Sequence, residues 1–367
     1  MIRRLGKTKK EKRSYLLTLF ITPIILSLVG LFFVFEASSV KSFSEFGDSF
    51  HYLKLQFVWI VLGIAMLSFF ATVNYHRLYY ISFFFMTVTI TLLLLVLVPG
   101  VGHRAGGAQR WLDLGIINFQ PTELAKLSVI VYLSSWFIHR ERKRFFSFII
   151  LLGGLMFLIV LQPDMGTAII VFLLSIIIYY LAGIELHYLL FLIPVSFISF
   201  LALVKISPYR FHRLLAFFNP ALDPQGITYH ITQILISLGN GGLLGQGFGI
   251  SRQKYLFLPE AHTDSIFAIV SEEFGFVGNL ILISAFIYLL SKMYRAVNHT
   301  PDRFGRLLAG GIFAFFNLQI LINLSGMVNL LPLTGVPLPF ISYGGSNLLV
   351  SFILLGILIN IGRQSKV

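Results

Sequence analysis

Three side chains that can move protons or bind cations lie close together in the segment Leu256–Phe267: Glu260, His262 and Asp264. Directly after them the chain is apolar for long enough to cross a membrane. We therefore expect Asp264 to lie at or just inside the mouth of a transmembrane helix. A carboxylate costs about 2.5–3.5 kcal/mol near the centre of such a helix, so its presence there indicates a functional site.

A second charged group consists of Glu123 and Lys126, which follow Pro121 at the start of another apolar stretch. Proline suits the first turn of a helix, and a carboxylate is favoured near a helix N-terminus. The i, i+3 spacing places both side chains on one helix face, where they can pair. Two interpretations remain open: a capping carboxylate beside a lysine that extends towards the interface, or a charged pair that lines a cavity.

Arginines near glycines and aromatic residues form a third feature. Arg110 and Trp111 follow Gly106 and Gly107, and glycine lets the backbone approach a ligand closely. Arg110 offers a planar set of donors for an oxygen anion, and Trp111 suits stacking on a sugar face. An interfacial Trp–Arg pair without a ligand is an equally plain interpretation.

The long segment before Glu260 is rich in glycine between residues 239 and 249 and carries Arg210 and Arg213 near its start. Backbone N–H groups and arginines of this kind can hold phosphate oxygens, although the Gly-Lys-Ser/Thr ending of a P-loop is missing. A flexible loop is the alternative, but the apolar residues between the glycines favour a packed segment.

Two turns complete the candidate residues. Asp164, after Gln162 and Pro163, suits a helix N-cap as well as it suits catalysis. The proline-rich segment 331–346 predicts re-entrant, non-helical backbone before the next helix, in which Ser342 and Tyr343 present hydroxyl groups to a cavity. A simple turn is the alternative interpretation.

The composition identifies the elements that position these residues as membrane helices. Apolar residues make up 57% of the 367 residues, charged residues only 12%, and the mean hydropathy is +0.86. Soluble domains contain about 25% charged residues. The sequence predicts an all-α integral membrane protein with about ten transmembrane helices. The predicted spans are 15–36, 53–74, 79–99, 122–139, 145–162, 165–183, 187–205, 264–290, 307–329 and 341–361.

The distribution of Lys and Arg predicts the orientation. The net charge is +13, yet the basic residues cluster in short segments between apolar runs, which argues for a membrane protein and against nucleic-acid binding. The positive-inside rule places both termini in the cytoplasm, with residues 1–14 as a basic tail and 15–364 as one polytopic domain. Residues 206–263 then form a large extracytoplasmic loop. There is no cysteine, which excludes disulfides and thiolate metal sites.

Several of these motifs together resemble the SEDS family of integral membrane peptidoglycan glycosyltransferases, the FtsW and RodA type. The most specific segments are Gly107–Trp111, Phe119–Lys126, Gln162–Thr167, Leu258–Asp264 and Leu338–Ser346. Residues 251–259 look more like the division branch, whereas 336–339 lean towards elongation. Departures are small: Glu36 stands where the family often has Tyr, and Asn347 where Ser is usual.

The resemblance implies ten transmembrane helices with a large loop between helices 7 and 8, and polymerisation of lipid II at the outer face of the bacterial cytoplasmic membrane. The aspartate that matches Asp264 is the family's essential residue. We expect Asp264 to be the general base on the acceptor 4-hydroxyl, with Glu123 orienting Lys126 and with Glu260 or His262 tuning Asp264. The groups expected to hold the pyrophosphate are Lys126, Arg110, Arg210 and Arg213.

A divalent cation, Mg²⁺ or Mn²⁺, is compatible with this pyrophosphate chemistry, and no organic cofactor is expected. The resemblance also implies a class B penicillin-binding transpeptidase as partner, together with other divisome or elongasome membrane proteins. Two rival functions remain: a flippase that carries lipid II outward, and a non-catalytic scaffold. The position of the charged motifs near one face favours chemistry there over a polar path across the whole bilayer.

Overall fold

The protein is mainly a bundle of helices, as seen in a computed structural model that describes residues 2–105, 108–113, 115, 118–139, 144–184, 187–206 and 208–365. Within these ranges the helices are α1 (Ile2–Phe46), α2 (His51–Thr72), α3 (Arg77–Leu97), α4 (Pro121–Trp136), α5 (Phe145–Leu161), α6 (Met165–Leu181), α7 (His187–Ile206), α8 (Pro208–Phe218), α9 (Tyr229–Gly241), α10 (Ile266–Asn298), α11 (Arg303–Met327) and α12 (Gly345–Gln364).

A helix occupies each of the ten predicted spans, so the predicted fold class is confirmed. By length and composition, six helices in the described ranges can cross a membrane: α1 from Ser14, α2, α3, α10, α11 and α12. The apolar helices α5 and α6 are shorter, at 17 residues each. Lipid can satisfy no backbone polar group, so a multi-pass membrane protein of this kind must be built from helices.

Some predicted boundaries are wrong. The helix α10 begins at Ile266, two residues after the predicted start, so Asp264 lies at the mouth of the helix, in the turn before it. The helix α1 continues ten residues past the predicted end at residue 36 to Phe46. That extra length stays helical because one of its faces is buried, with Ser38 and Ser42 both shielded from solvent.

Two segments expected to be irregular contain regular structure. The predicted loop 206–263 includes α8 and α9. The segment 100–121 forms a small antiparallel sheet in the order β1 (Gly102–Ala105), β2 (Ala108–Asp113) and β3 (Asn118–Phe119). Gly106 and Gly107 of the predicted glycine motif lie outside the described residues. The sheet satisfies backbone groups that would otherwise be unpaired near the bundle.

The helix α10 is broken at Gly275, whose φ of 63° and ψ of −159° are not helical. The carbonyls of Glu272 and Glu273 lose their helical donors there and accept instead from the amides of Gln246 and Gly247, at 2.9 and 3.2 Å. A Cβ atom on Gly275 would lie 2.3 Å from the amide nitrogen of Gly245, so this crossing requires glycine.

The connections after α1, α3, α5, α7 and α11 meet at one end of the bundle, which we term the loop end. Hydrogen bonds join them: Arg110 to Gln162, Arg213 to Leu333, and the amide of Tyr343 to the carbonyl of His262. All of the candidate residues identified in the sequence lie at this end or in the first turns of the helices that leave it.

Candidate active site

Asp264 lies in a tight turn that presents its carboxylate just before α10. The amides of Thr263 and Ser265 both donate to the carbonyl of Glu260, at 3.2 Å. The hydroxyls of Thr263 and Ser265 lie 3.3 and 3.5 Å from Asp264 Oδ1. On the other side, Asn323 Nδ2 of α11 donates to the Asp264 carbonyl at 2.9 Å. The turn is therefore fixed from both sides, and the side chain is only 7% exposed.

Arg213 and Asp264 flank the same glycine. A Cβ atom on Gly335 would lie 3.7 Å from Asp264 Oδ2 and 3.9 Å from Arg213 Nη1. Arg213 is held there by its hydrogen bond to the carbonyl of Leu333, at 2.8 Å. The backbone of Gly335 therefore approaches both the carboxylate and the guanidinium, and no side chain at that position covers either group.

The environment of Asp264 favours a proton acceptor that is stronger than an ordinary aspartate. Burial raises the pKa of the Asp264 carboxyl, and the charge of Glu260 raises it further, while His230 and Arg213 act in the opposite direction. Burial disfavours the charged form of a carboxyl group, which makes it a better base. A general base works best when its pKa approaches the pH at which it operates.

Glu260 and His262 flank Asp264 in different environments. Glu260 is exposed, accepts from Thr263 Oγ1 at 2.9 Å and lies 4.0 Å from Lys41 Nζ. His262 is buried against the rings of Tyr52 and Tyr343, with centroids 4.7 and 5.5 Å away. Burial lowers the pKa of His262 to about 4, so its ring is neutral near pH 7. Glu260 therefore influences Asp264 through its charge, and His262 acts as a neutral packing residue.

The hydroxyl groups of Ser342 and Tyr343 differ in their environments. Ser342 is buried, and its hydroxyl accepts from the amide of Leu338 at 2.9 Å, which stabilises the turn before α12. Tyr343 is partly exposed and contacts Tyr52 and His262. Burial raises the pKa of Tyr343 to about 12, so the phenol keeps its proton and can donate it. Their contact with a substrate stays a prediction.

The predicted pairing of Glu123 with Lys126 is confirmed. Lys126 Nζ lies 2.7 Å from Glu123 Oε1, and the side chains are 1% and 4% exposed, respectively. Asn347 Nδ2 donates to the other Glu123 oxygen at 2.9 Å, and Lys126 lies over the ring of Phe315, 5.6 Å from its centroid. The lysine therefore does not extend towards the interface, because its ammonium is enclosed by protein.

The ion pair and Asp264 belong to separate clusters connected by α11. Phe315 contacts Lys126, while Asn323 contacts the backbone of Asp264. Eight residues separate Phe315 from Asn323, which corresponds to about 12 Å along a helix axis. Between them, Gln319 donates to the carbonyl of Pro337 at 3.1 Å. Phe315, Gln319 and Asn323 follow one another at intervals of four residues, so one face of α11 contacts both clusters.

Two of the predicted arginines meet at the C-terminal end of α5. Arg110 donates to the carbonyls of Gln162 and Pro163, and Arg210 to those of Val160 and Leu203. Burial lowers the pKa of Arg210, and the positive charge of Arg110 adds to this effect. Two guanidinium groups near each other create a local positive field that an anion can relieve. Trp111, next to Arg110 in β2, is partly exposed.

Asp164 is the N-cap of α6, as one of the two interpretations predicted. Its carboxylate accepts from the Thr167 amide, from Gln120 Nε2 and from Thr122 Oγ1, each at 3.1 Å. These three donors anchor the start of α4 to the start of α6. Asp164 therefore positions the helix that carries Glu123.

A second group of buried charges escaped the sequence analysis. Glu272 and Glu273, at the break in α10, are 2% and 1% exposed. Lys254 Nζ lies 3.8 Å from Glu273 Oε1 and 2.8 Å from Glu36 Oε2, and Ser251 donates to Glu272 at 2.5 Å. Two adjacent acidic residues within a predicted span were the signal that could have revealed this cluster. It ties the long loop to α1 and α10.

No group of three or more His, Asp or Glu side chains that could hold a metal ion occurs in the ranges that the structure describes. Mg²⁺ commonly uses only one or two carboxylates and takes its other ligands from substrate phosphates and water. A divalent cation would therefore have to take most of its ligands from a phosphorylated substrate and water, with the exposed Glu260 as the nearby carboxylate.

Comparison with known proteins gives consistent matches over nearly the whole chain. A family model described as a cell cycle protein, named for FtsW, RodA and SpoVE, matches residues 16–367. Stage V sporulation protein E of Bacillus subtilis (strain 168) is 36% identical over 366 residues, covering 98% of this chain and 100% of the relative. A protein of Geobacter sp. (strain M18) named "Probable peptidoglycan glycosyltransferase FtsW" is 36% identical over 370 residues, covering 97% and 99%.

A solved structure agrees with these matches. A chain in the structure of a peptidoglycan synthase complex, described as coordinating polymerization and crosslinking, superimposes with a TM-score of 0.76 at 26% identity. The superposition covers 95% of this chain and 96% of that chain.

Proposed function

The chain belongs to the FtsW, RodA and SpoVE family and is a peptidoglycan glycosyltransferase of the membrane, and we propose that it polymerises lipid II into glycan strands with Asp264 as general base. Lipid II is a disaccharide-pentapeptide carried on undecaprenyl pyrophosphate. The observation that carries this proposal is the buried Asp264 carboxylate beside Arg213, at the end of the bundle where Arg110 and Arg210 also lie.

The reaction requires inversion at the anomeric carbon, because the donor sugar is α-linked and the product is β-1,4-linked. The acceptor 4-hydroxyl attacks this carbon while the bond to the pyrophosphate oxygen breaks. Asp264 takes the proton of the attacking hydroxyl, and the raised pKa of its carboxyl supports that role. The pyrophosphate departs with the electron pair of the broken bond.

The departing pyrophosphate requires positive charge. Arg213 lies closest to Asp264, and Arg110 and Arg210 form a second positive group at the end of α5. Guanidinium donors held in place by backbone carbonyls need no reorganisation as charge develops on the leaving group. A divalent cation, Mg²⁺ or Mn²⁺, bound with the pyrophosphate and Glu260 would neutralise further charge. Lys126, enclosed by protein, acts by holding α4 and α12 together through Glu123 and Asn347.

An apolar groove supports the placement of the lipid tail. An open groove of about 350 Å³ runs along α5, with six lining residues from α5 and one from α3. Its lining residues are Ile90, Ile150, Leu151, Gly154, Leu155, Phe157 and Leu158. The arginines contact the last carbonyls of the same helix, α5. A polyprenyl chain in this groove would therefore present its pyrophosphate to Arg110 and Arg210.

The partner and the orientation follow from the same proposal. A similar chain occurs in a peptidoglycan synthase complex that coordinates polymerization and crosslinking, which supports a class B penicillin-binding transpeptidase as the partner here. The clustering of Lys and Arg supports cytoplasmic termini, so the loop end would face the compartment where peptidoglycan is assembled.

The test is lipid II polymerisation by the purified protein in detergent. Wild type and the exposed-carboxylate control Asp113→Asn should form glycan strands, whereas Asp264→Asn and Asp264→Ala should lose at least about 100-fold in turnover. Detergent separates the rival functions, because a flippase needs a sealed bilayer and a transferase does not. Near wild-type turnover by either Asp264 variant would remove Asp264 from the mechanism.

A further inference from the structure

A hydrogen-bonded chain of three side chains leads away from Asp264 towards solvent. Ser265 Oγ lies 3.5 Å from Asp264 Oδ1, and His230 Nε2 of α9 lies 2.8 Å from the same Ser265 oxygen. Ser265 is fully buried, while His230 is partly exposed. The hydroxyl can donate to one neighbour while it accepts from the other, so it can connect the carboxyl group to the imidazole.

Building on the proposed glycosyltransferase function, we propose that His230 receives through Ser265 the proton that Asp264 takes from the acceptor hydroxyl, and releases it to solvent. This relay would return Asp264 to its basic form for the next sugar addition. Asp264 itself is only 7% exposed, so little of its surface can pass a proton directly to water. A growing glycan strand over the site would shield it further.

The proton balance of the relay is simple. After attack, Asp264 Oδ1 carries the proton of the 4-hydroxyl. That proton passes to Ser265 Oγ as the hydrogen already on Ser265 moves to His230 Nε2. Asp264 returns to carboxylate, Ser265 remains a neutral hydroxyl and His230 becomes an imidazolium, which then loses one proton to water or buffer. No oxidant, cation or second substrate is required.

The groups that face His230 keep its ring neutral before the transfer and partly stabilise its charge afterwards. Burial lowers the pKa of His230, so the ring is neutral and able to accept a proton near pH 7. Asp264 and Glu260 stabilise the imidazolium by their charge, Arg213 of α8 opposes it, and the carbonyl of Pro259 accepts a hydrogen bond from it. Burial thus shifts the pKa values of Asp264 and His230 towards each other, which eases proton transfer in both directions.

The 3.5 Å contact between Ser265 and Asp264 is at the outer limit for a hydrogen bond. Catalytic hydrogen bonds are often long without substrate and shorten in the substrate complex.

The test uses purified full-length protein and lipid II, with turnover measured at saturating substrate from pH 5.5 to 8.5. The variant His230→Gln can keep a hydrogen bond to Ser265 but cannot carry a proton. We expect at least about a tenfold loss of turnover with the KM for lipid II within twofold of wild type. Ser265→Ala should show a similar loss. The exposed histidine control His299→Gln, at the far end of α10, should behave as wild type.

Chemical rescue distinguishes proton transfer from a structural role. Added imidazole should raise the turnover of His230→Ala at least threefold. The size of this increase should depend on the concentration of neutral imidazole. Turnover of His230→Gln within twofold of wild type would overturn the relay, and so would a His230→Ala variant whose rate ignores imidazole. Thermal melting shows whether each variant is folded. If His230→Ala is unfolded, the turnover of His230→Gln decides the test.

Failure of the relay is distinguishable from failure of the proposed function. If Asp264→Asn is inactive while His230→Gln is fully active, Asp264 remains the base and loses its proton by another route. If Asp264→Asn is itself active, the relay has no proton to carry and both proposals fall.

Discussion

Replacing Lys126 by methionine removes an ammonium from the buried interior while it keeps most of the apolar stem. Lys126 is 1% exposed and lies 2.7 Å from Glu123, which is 4% exposed. Among the residues that the structure describes, the variant leaves Asn347 as the remaining hydrogen-bond donor to the Glu123 carboxylate, and both of these residues are buried. Removing one partner of a buried ion pair costs about 3–5 kcal/mol, because the remaining charge is left uncompensated.

The chain offers a matched control for this measurement. Lys54 and Asp48 are also 2.7 Å apart, but their side chains are 67% and 38% exposed. Exposed pairs contribute about 0–1 kcal/mol, so Lys54→Met should leave stability nearly unchanged. Because the N···O distances are equal, the difference between the two variants isolates the effect of burial.

The assay is reversible unfolding in mixed micelles, applied to Lys126→Met, Glu123→Gln, the double variant and Lys54→Met. The double variant removes both charges. Its loss of unfolding free energy should be smaller than the sum of the two single losses by about 1–3 kcal/mol. A loss of unfolding free energy in Lys126→Met no larger than that in Lys54→Met would contradict this prediction. Additive single changes would also contradict it, since they would mean that Glu123 and Lys126 do not interact.

Three further predictions concern the break in α10, the buried His262 and the contact between α11 and the Asp264 turn. Gly275→Ala should prevent correct folding, because the φ of 63° is strained for alanine and a Cβ atom would lie 2.3 Å from a backbone amide. The control Gly153→Ala has open space around the added Cβ atom and should be neutral or stabilising in thermal melts. Burial lowers the pKa of His262 from 6.5 to about 4 in the folded protein. As the pH drops from 6.5 towards 4, the unfolded chain binds a proton that the folded protein does not, so the stability of the folded protein should fall. The variant His262→Phe should flatten this pH dependence. Asn323→Leu should cost roughly 2–6 kcal/mol in unfolding experiments, because two buried carbonyls, of Asp264 and Val336, each lose a donor at about 1–3 kcal/mol.

Local sequence rules were sufficient for the bundle and for one part of the site. Apolar stretches of about 20 residues located the helices, because length and hydropathy decide what can cross a bilayer. The i, i+3 spacing of Glu123 and Lys126 predicted their pairing, and the position of Asp164 before α6 predicted an N-cap. The ion pair and the N-cap each depend only on residues within about one turn of helix.

Contacts between distant segments were beyond the reach of those rules. Nothing in the spacing indicated that Arg110 and Arg210 would meet at the carbonyls that end α5. The broken α10 depends on Gly245 and Gly275, which are 30 residues apart and approach each other only in the folded chain. The span predicted to start at residue 264 starts at Ile266, because the amides of Thr263 and Ser265 bond to the Glu260 carbonyl in a turn before the helix begins.

The most direct test of the account compares lipid II binding with lipid II polymerisation in one preparation of Asp264→Asn. Asparagine keeps the size and hydrogen-bonding capacity of the side chain but cannot accept the proton, so binding should stay within about threefold of wild type while turnover falls at least about 100-fold. Polymerisation at near wild-type rate would contradict the assignment of Asp264 as base, and a loss of binding equal to the loss of turnover would show that its role is to hold substrate.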